Sequence, residues 1–211
     1  MIKKIAIEGV RPESIPALLR DNRVPYETVS TVNWPAEFPY APDARFAVAH
    51  TGKEFLLHYI VREARSRAAA DTDGGRVWED SCMEFFLAPD PAGYYNIECN
   101  CIGRMVLGYG TGRHGREAAG EDVFRAIRRW TSLPPQPFAE KAVDEWQVAL
   151  AIPVACLFRH AFDKVDGMQA KGNFYKCGDL LSTVHFTTWA PIRTEHPDFH
   201  RPEYFVPLSF E

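Results

Sequence analysis

The chain has 211 residues, of which 25% are charged, and a formal net charge of −4. That length lets one domain over residues 1–211 bury roughly 70% of its unfolded surface, so no staples are needed. The acidic balance lacks the basic footprint of a nucleic-acid binder, and no apolar run approaches the ~20 residues that span a bilayer.

Most segments alternate with period two. "KKIAIE" alternates around Ile5 and Ile7. Its two lysines lead into no apolar segment, so the start reads as a strand and not as a signal peptide. A complete chain is therefore expected in the cytoplasm; one trimmed of a leader would be extracytoplasmic. Ser14 is a candidate cap for a short helix over "IPALLRDN". "EFLLHYIVRE" places Phe55, Leu57, Tyr59 and Val61 on one face, and "REARSRAAAD" has the composition for two helical turns. Val77–Ala88 is expected as a strand. "YYNIECNC" and "RMVLGYG" are separated only by Ile102-Gly103 and predict a hairpin. "EDVFRAIRRWTSL" fits helix spacing, but its β-rich neighbours favour a strand. "EWQVALAIP" aligns Trp146, Val148, Leu150 and Ile152, and Pro153 then opens a short helix over "VACLFRHAF". "YFVPLSFE" ends the chain as a strand, with Pro207 marking an edge.

Many short strands and few short helices predict an all-β fold, a two-sheet antiparallel β-sandwich with jelly-roll or immunoglobulin-like layering. The five cysteines, Cys82, Cys99, Cys101, Cys156 and Cys177, are an odd set, which argues for free thiols. Cys99 and Cys101 form C-x-C, not a zinc spacing, and read as small buried hydrophobes.

"VWEDSCMEFFLAP" carries most of the chemistry. Alternation places Trp78, Asp80, Cys82, Glu84, Phe86 and Ala88 on one face. An aromatic and two acids thus share a surface that turns apolar further along, and a buried carboxylate needs partners. Asp80 and Glu84 lie roughly 13 Å apart at ~3.3 Å per residue, too wide for a glycosidase pair. No G-x-S-x-G or H-E-x-x-H motif appears.

In order, "VWEDSCMEFFLAP", "YYNIECNCIGRM", "EWQVALAIP", "GNFYKCGD" and "FTTWAPIRTEHPDFHRPEYFVPLSF" resemble the carbohydrate-binding module family 9-like domains of the DOMON-like β-sandwiches. The resemblance covers nearly the whole chain, least in the first ~40 residues. It implies a carbohydrate ligand of glucan or xylan type held in an aromatic clamp, and an association with glycan breakdown. Trp78 matches the first clamp tryptophan and Glu84 the hydroxyl-binding acid. Trp189 is the candidate second tryptophan, Arg104 a binding arginine and His185 a further polar partner. Asp80 is expected to brace a neighbouring loop, and Trp130 and Trp146 to pack. No cofactor is expected. Calcium, which some relatives hold, has only the acids of "APDPAG" and "AAADTDGG" as candidates. Alternatives are a hydrolase-associated role, haem binding through Met83 or Met105 without a C-x-x-C-H motif, and a protein-interaction module.

Overall fold

The computed structural model describes residues 1–211. Its strands in chain order are β1 Lys3–Lys4, β2 Glu27–Thr28, β3 Thr31–Val32, β4 Asp43–His50, β5 Glu54–Arg62, β6 Ser66–Ala68, β7 Cys82–Asp90 and β8 Gly93–Asn100. There follow β9 Met105–Gly110, β10 Glu117–Ala118, β11 Arg128–Thr131, β12 Phe138–Lys141, β13 Trp146–Pro153, β14 Gln169–Cys177, β15 Phe186–Thr188 and β16 Val206–Ser209. The two α-helices are α1 Ile15–Asp21 and α2 Glu121–Ala126. No helix is long and apolar enough to cross a membrane.

Two mainly antiparallel sheets face each other. The first runs β1-β4-β5-β13-β11, with β2 on β4; the second runs β10-β9-β8-β7-β14-β15-β3, with β16 also on β14. Phe55, Leu57, Tyr59 and Val61 of β5 and Trp146, Val148, Leu150 and Ile152 of β13 point inward, as their alternation requires. They meet Met83, Phe85 and Leu87 of β7 and Tyr95, Ile97 and Cys99 of β8. Three rings bridge the layers: Phe46 stacks on Phe174 at 3.6 Å, and Phe174 on Phe85 at 4.4 Å. Met83 and Met105 are sealed in this core. All five cysteines are free and buried.

Each sheet also has a covered back. Behind the first, Ile15 and Leu19 of α1 pack on Leu56, Ala149 and Ala151. Behind the second, Trp34, Ile192, Phe199 and Phe205 cover Phe86, Tyr94 and Tyr175. The His200–Glu203 turn within that cover is held internally, with Arg201 Nη2 2.7 Å from Glu203. The rest of this back face stays open.

Four local expectations are corrected. The segment before β7 is not strand: Val77–Glu79 form a 3-10 turn, so the strand starts at Cys82. "REARSRAAAD" contains β6 and no helix. The Asp80 carboxylate accepts the N–H groups of Ala69 at 2.8 Å and Ala70 at 3.0 Å, which fixes that loop in extended form. The segment at 121–131 is both helix and strand, α2 giving way to β11 at an extended Ile127. Ser14 precedes α1 without capping it, since its hydroxyl donates back to Arg11 O. The hairpin between β8 and β9 forms as expected, with Gly103 at φ +84°, a left-handed conformation that favours glycine.

One charged cluster lies between the layers. Lys176 of β14 faces inward beside Met83, and its Nζ sits 2.9 Å from Glu63 Oε2, just beyond β5. Glu63 Oε1 accepts from Trp146 Nε1 at 2.7 Å and from Ser66 Oγ at 3.1 Å. Burial opposes the charge on Glu63, yet Lys176, Ser81 and Trp146 hold its carboxyl below the usual range. Lys176→Met should destabilise the fold by about 3–5 kcal/mol, because it strands a buried carboxylate. Glu63→Gln with Lys176→Met should recover most of that loss, since the glutamine oxygen still serves Trp146. Urea denaturation measures both, and a Lys176→Met protein as stable as wild type would show the pair to be dispensable.

Candidate functional site

The open part of the second sheet's back face forms a cavity of about 350 Å³. That is near the small end of the ~300–1,000 Å³ typical of ligand pockets. Register sets the face it sits on, of which Glu84, Glu98, Val106, Asn96, Gly108 and Cys177 line the cavity. Antiparallel pairing lines up Tyr175, Glu84, Glu98 and Val106 in one row across β14, β7, β8 and β9. Rows on either side hold Cys177, Cys82 and Asn100, and Asn173, Phe86, Asn96 and Gly108. Trp78, Asp179, Phe186, Phe199 and His200 form walls, while exposed Arg113 and His114 stand at the rim.

Glu84 and Glu98 are direct cross-strand neighbours, and both are buried. Like charges in that relation repel. Burial raises the Glu98 carboxyl to about 7. Burial, and then the charge on Glu98, lift Glu84 well above the ordinary range. At neutral pH the pair therefore retains at least one proton. Glu84 Oε1 accepts the Cys177 thiol at 3.1 Å, and Glu98 Oε1 accepts Asn96 Nδ2 at 2.8 Å. Glu98 Oε2 is buried with no partner. Asp179, raised to about 6 by burial, adds a third acid.

Arg116 frames one side. It donates to Asn96 Oδ1 at 3.0 Å, to the carbonyls of Gly112 and Tyr94 at 2.8 Å, and to Gly108 O at 3.2 Å. Its guanidinium also lies 4.3 Å over the Tyr94 ring. Gly108 permits this approach, because a Cβ there would come within 3.0 Å of Asn96 Oδ1. On the other wall, His200 Nδ1 lies 2.9 Å from Tyr94 Oη. Burial and the nearby Arg116 push His200 down to about 3, and burial raises Tyr94 to about 12. The phenol and a neutral imidazole therefore share one hydrogen bond.

The sequence-derived candidates divide. Trp78 and Glu84 line one cavity. Trp78 reaches it on the 3-10 turn, where its carbonyl accepts the Asp179 N–H at 3.2 Å. Trp189 and His185 lie on the other face of their strand. Phe186 faces the cavity, so the residue before it and the residue three beyond it point inward. Trp189 packs edge-on against Phe46 at 5.6 Å and Phe174 at 6.0 Å. His185 is fully occupied: Nε2 accepts from Lys176 Nζ at 2.7 Å and Nδ1 donates to Thr183 O at 2.9 Å. Burial and Lys176 hold it neutral, down to about 3. Arg104 closes the hairpin, its N–H donating to Asn100 Oδ1 at 2.8 Å, and does not line the cavity. The paired-tryptophan groove with Arg104 on its floor is thus absent. Asp80 braces its loop and also accepts Asn100 Nδ2 at 2.9 Å.

Glu98, Asn96, Asp179, Arg113 and Arg116 were not singled out from sequence. A signal existed for two of them: Asn96 and Glu98 alternate with core residues in a wholly buried strand. Two acids of the calcium-candidate loops have donors beside them. Asp73 Oδ1 takes Arg129 Nη1 at 2.7 Å, and Asp90 Oδ2 lies 3.0 Å from His160 Nε2.

The sequence profile of carbohydrate-binding family 9 matches residues 13–210. A crystal structure of a candidate carbohydrate-binding protein from Bacteroides uniformis superposes with a TM-score of 0.96 at 45% identity, over 100% of this chain and 97% of that one. A family 9 module from Caldicellulosiruptor kristjanssonii in complex with glucose gives 0.58 at 11% identity, over 100% and 94%. The same organism's module in complex with cellotriose gives 0.57 at 11%, over 100% and 89%. At that identity these two show a shared fold. No curated protein matches.

The carboxyl pair has a measurable signature in stability. A folded-state value raised from 4.5 to about 7 favours the fold fully below ~4.5 and loses that contribution as pH climbs through 7. Glu98→Gln removes the effect, and its amide can still face Glu84. Measured by urea denaturation with a chelator present, the variant should gain on wild type by roughly 2–3 kcal/mol between about pH 5 and about pH 8. A difference that is flat with pH would mean that Glu98 titrates as an ordinary exposed acid.

Proposed function

The chain belongs to carbohydrate-binding family 9, and on that premise we propose that its back-face cavity binds a saccharide, a single unit or the end of a glucan- or xylan-type chain. The observation that carries this reading is the conjunction of Trp78 with two side-by-side buried carboxyls in one solvent-open cavity. A pyranose presents a C–H face that stacks on a flat aromatic, and hydroxyls that both donate and accept. Trp78 provides the platform; Phe186 and Phe199 provide the remaining aromatic surface in place of a second tryptophan. A carboxyl pair that holds one proton grips neighbouring hydroxyls from one side, one oxygen accepting while the protonated partner donates. Glu98 Oε2 takes a sugar hydroxyl as the partner it lacks, and His200 and Arg113 reach the outer hydroxyls.

Glu84 and Glu98 stand together on one floor instead of on either side of a bound ring. That favours gripping over hydrolysis, which needs carboxyls flanking the scissile bond. An association with glycan breakdown would then come through delivery of a sugar or chain end to a separate catalyst.

Calorimetry with glucose, xylose, cellobiose, xylobiose and cellotriose tests this. Trp78→Ala should cost more than ~1.5 kcal/mol of binding and Glu84→Gln roughly 1–2 kcal/mol. Arg104→Gln, outside the cavity, should leave affinity within about twofold. Wild-type protein that binds none of these sugars, or a Trp78→Ala variant that binds them undiminished, would overturn the reading.

A further inference from the structure

The cavity floor also gathers a second kind of chemistry. Cys82 and Cys177 stand directly opposite each other on β7 and β14, and Glu84, two residues beyond Cys82, shares their face. Their two sulfurs and one carboxylate oxygen all lie within 4.8 Å of one another. The other three thiols differ: Cys99, Cys101 and Cys156 sit in the apolar core between the sheets. We propose that Cys82, Cys177 and Glu84 form a site for one thiophilic divalent cation of the zinc class, its fourth position open to the cavity.

The geometry suits such an ion. With Zn–S near 2.3 Å and Zn–O near 2.0–2.2 Å, tetrahedral ligand atoms stand about 3.5–3.8 Å apart. Separations of up to 4.8 Å therefore close by about an ångström, while Cys177 Sγ and Glu84 Oε1, at 3.1 Å, open by roughly half an ångström. Access comes through the cavity, which Cys177 and Glu84 both line. Asp179, on the same wall, offers a further oxygen for the fourth position, or water fills it. Two sulfurs select zinc or cadmium over calcium and magnesium, which prefer all-oxygen cages. Three protein ligands with an open fourth position match accessible zinc sites more closely than closed structural ones.

The binding step balances simply. The ion enters, two thiol S–H bonds and any O–H on Glu84 break, three metal–ligand bonds form, and the protons leave through the cavity to solvent. No oxidant or reductant is involved. The cation and a saccharide would share Glu84, but the site does not depend on the saccharide reading.

Metal-free protein, kept reduced with a phosphine, is titrated with cadmium while the sulfur-to-cadmium charge-transfer absorption is followed. The expected result is saturation at one equivalent, reversal by zinc, and no effect of calcium or magnesium. Cys82→Ser and Cys177→Ser should each weaken binding at least tenfold, roughly the loss of one thiolate ligand. Glu84→Gln should keep the band and weaken affinity. Cys156→Ser should change nothing. Should Cys82→Ser fail to fold, Cys177→Ser and the melting temperature of wild type with and without zinc decide the matter, since an ion held by the native state alone must raise it. No band at stoichiometric cadmium, or a band that survives in Cys177→Ser at full affinity, overturns the proposal. Because this titration contains no sugar, its outcome is separate from that of the saccharide measurements.

Discussion

Lys176 is a cation with no water around it, and much of the molecule is arranged to make that tolerable. Its partner Glu63 comes from the opposite sheet, so the ion pair fixes the two layers in register as well as in contact. Trp146, the largest fully buried side chain, is oriented by the same carboxylate through its indole N–H. His185 completes the cluster and is kept neutral by it. With Lys176 held inward, period two sends Tyr175 and Cys177 outward. The back face, and with it the cavity floor, is thus positioned by a contact made on the other side of the sheet.

The floor inverts that logic. Lys176 and Glu63 satisfy each other, whereas Glu84 and Glu98 are like-charged neighbours that hydrogen-bond to other groups, Cys177 and Asn96. A sheet that served only to separate core from solvent would gain by replacing one of them. An unpartnered oxygen on Glu98 and a carboxyl kept protonated by burial are instead a store of unmet hydrogen-bonding capacity. A polyhydroxylated guest supplies donors and acceptors together and draws on it; a purely apolar guest does not. The same floor sets thiols beside carboxyl, which brings two ligand chemistries into one small volume.

The sandwich was legible because alternation is strict where sheets are buried. β5, β7, β8 and β13 declare their inward faces residue by residue. The failures were of two physical kinds. Turns governed by a side chain, such as the Ala69-Ala70 loop held by Asp80, leave little trace in periodicity, because the controlling group lies ten residues away. At the site, motif and strand face disagree. Trp189 and His185 adjoin Phe186 in sequence, yet period two puts them on the core side. Glu98 and Asn96 have the phase of the cavity face but sit in a wholly buried strand, where polar residues carry no aromatic signature. Arg116 and Arg113 come from the loop between β9 and β10, whose approach depends on Gly108 and on backbone carbonyls that no side-chain pattern records.

Arg116 carries one more implication. Most of its hydrogen-bond acceptors are main-chain oxygens, those of Gly112, Tyr94 and Gly108; side chains contribute only the Asn96 oxygen and the Tyr94 ring. Main-chain acceptors are present whatever residues supply them. The tip from Thr111 to Gly115, with Arg113 and His114, therefore hangs from a bracket indifferent to its own composition. Rim and floor become separable inheritances: substitutions at the tip can alter what greets an incoming molecule while the acids beneath keep their places. For drift, and equally for directed libraries, that loop is the part of the cavity where variety comes at least structural risk.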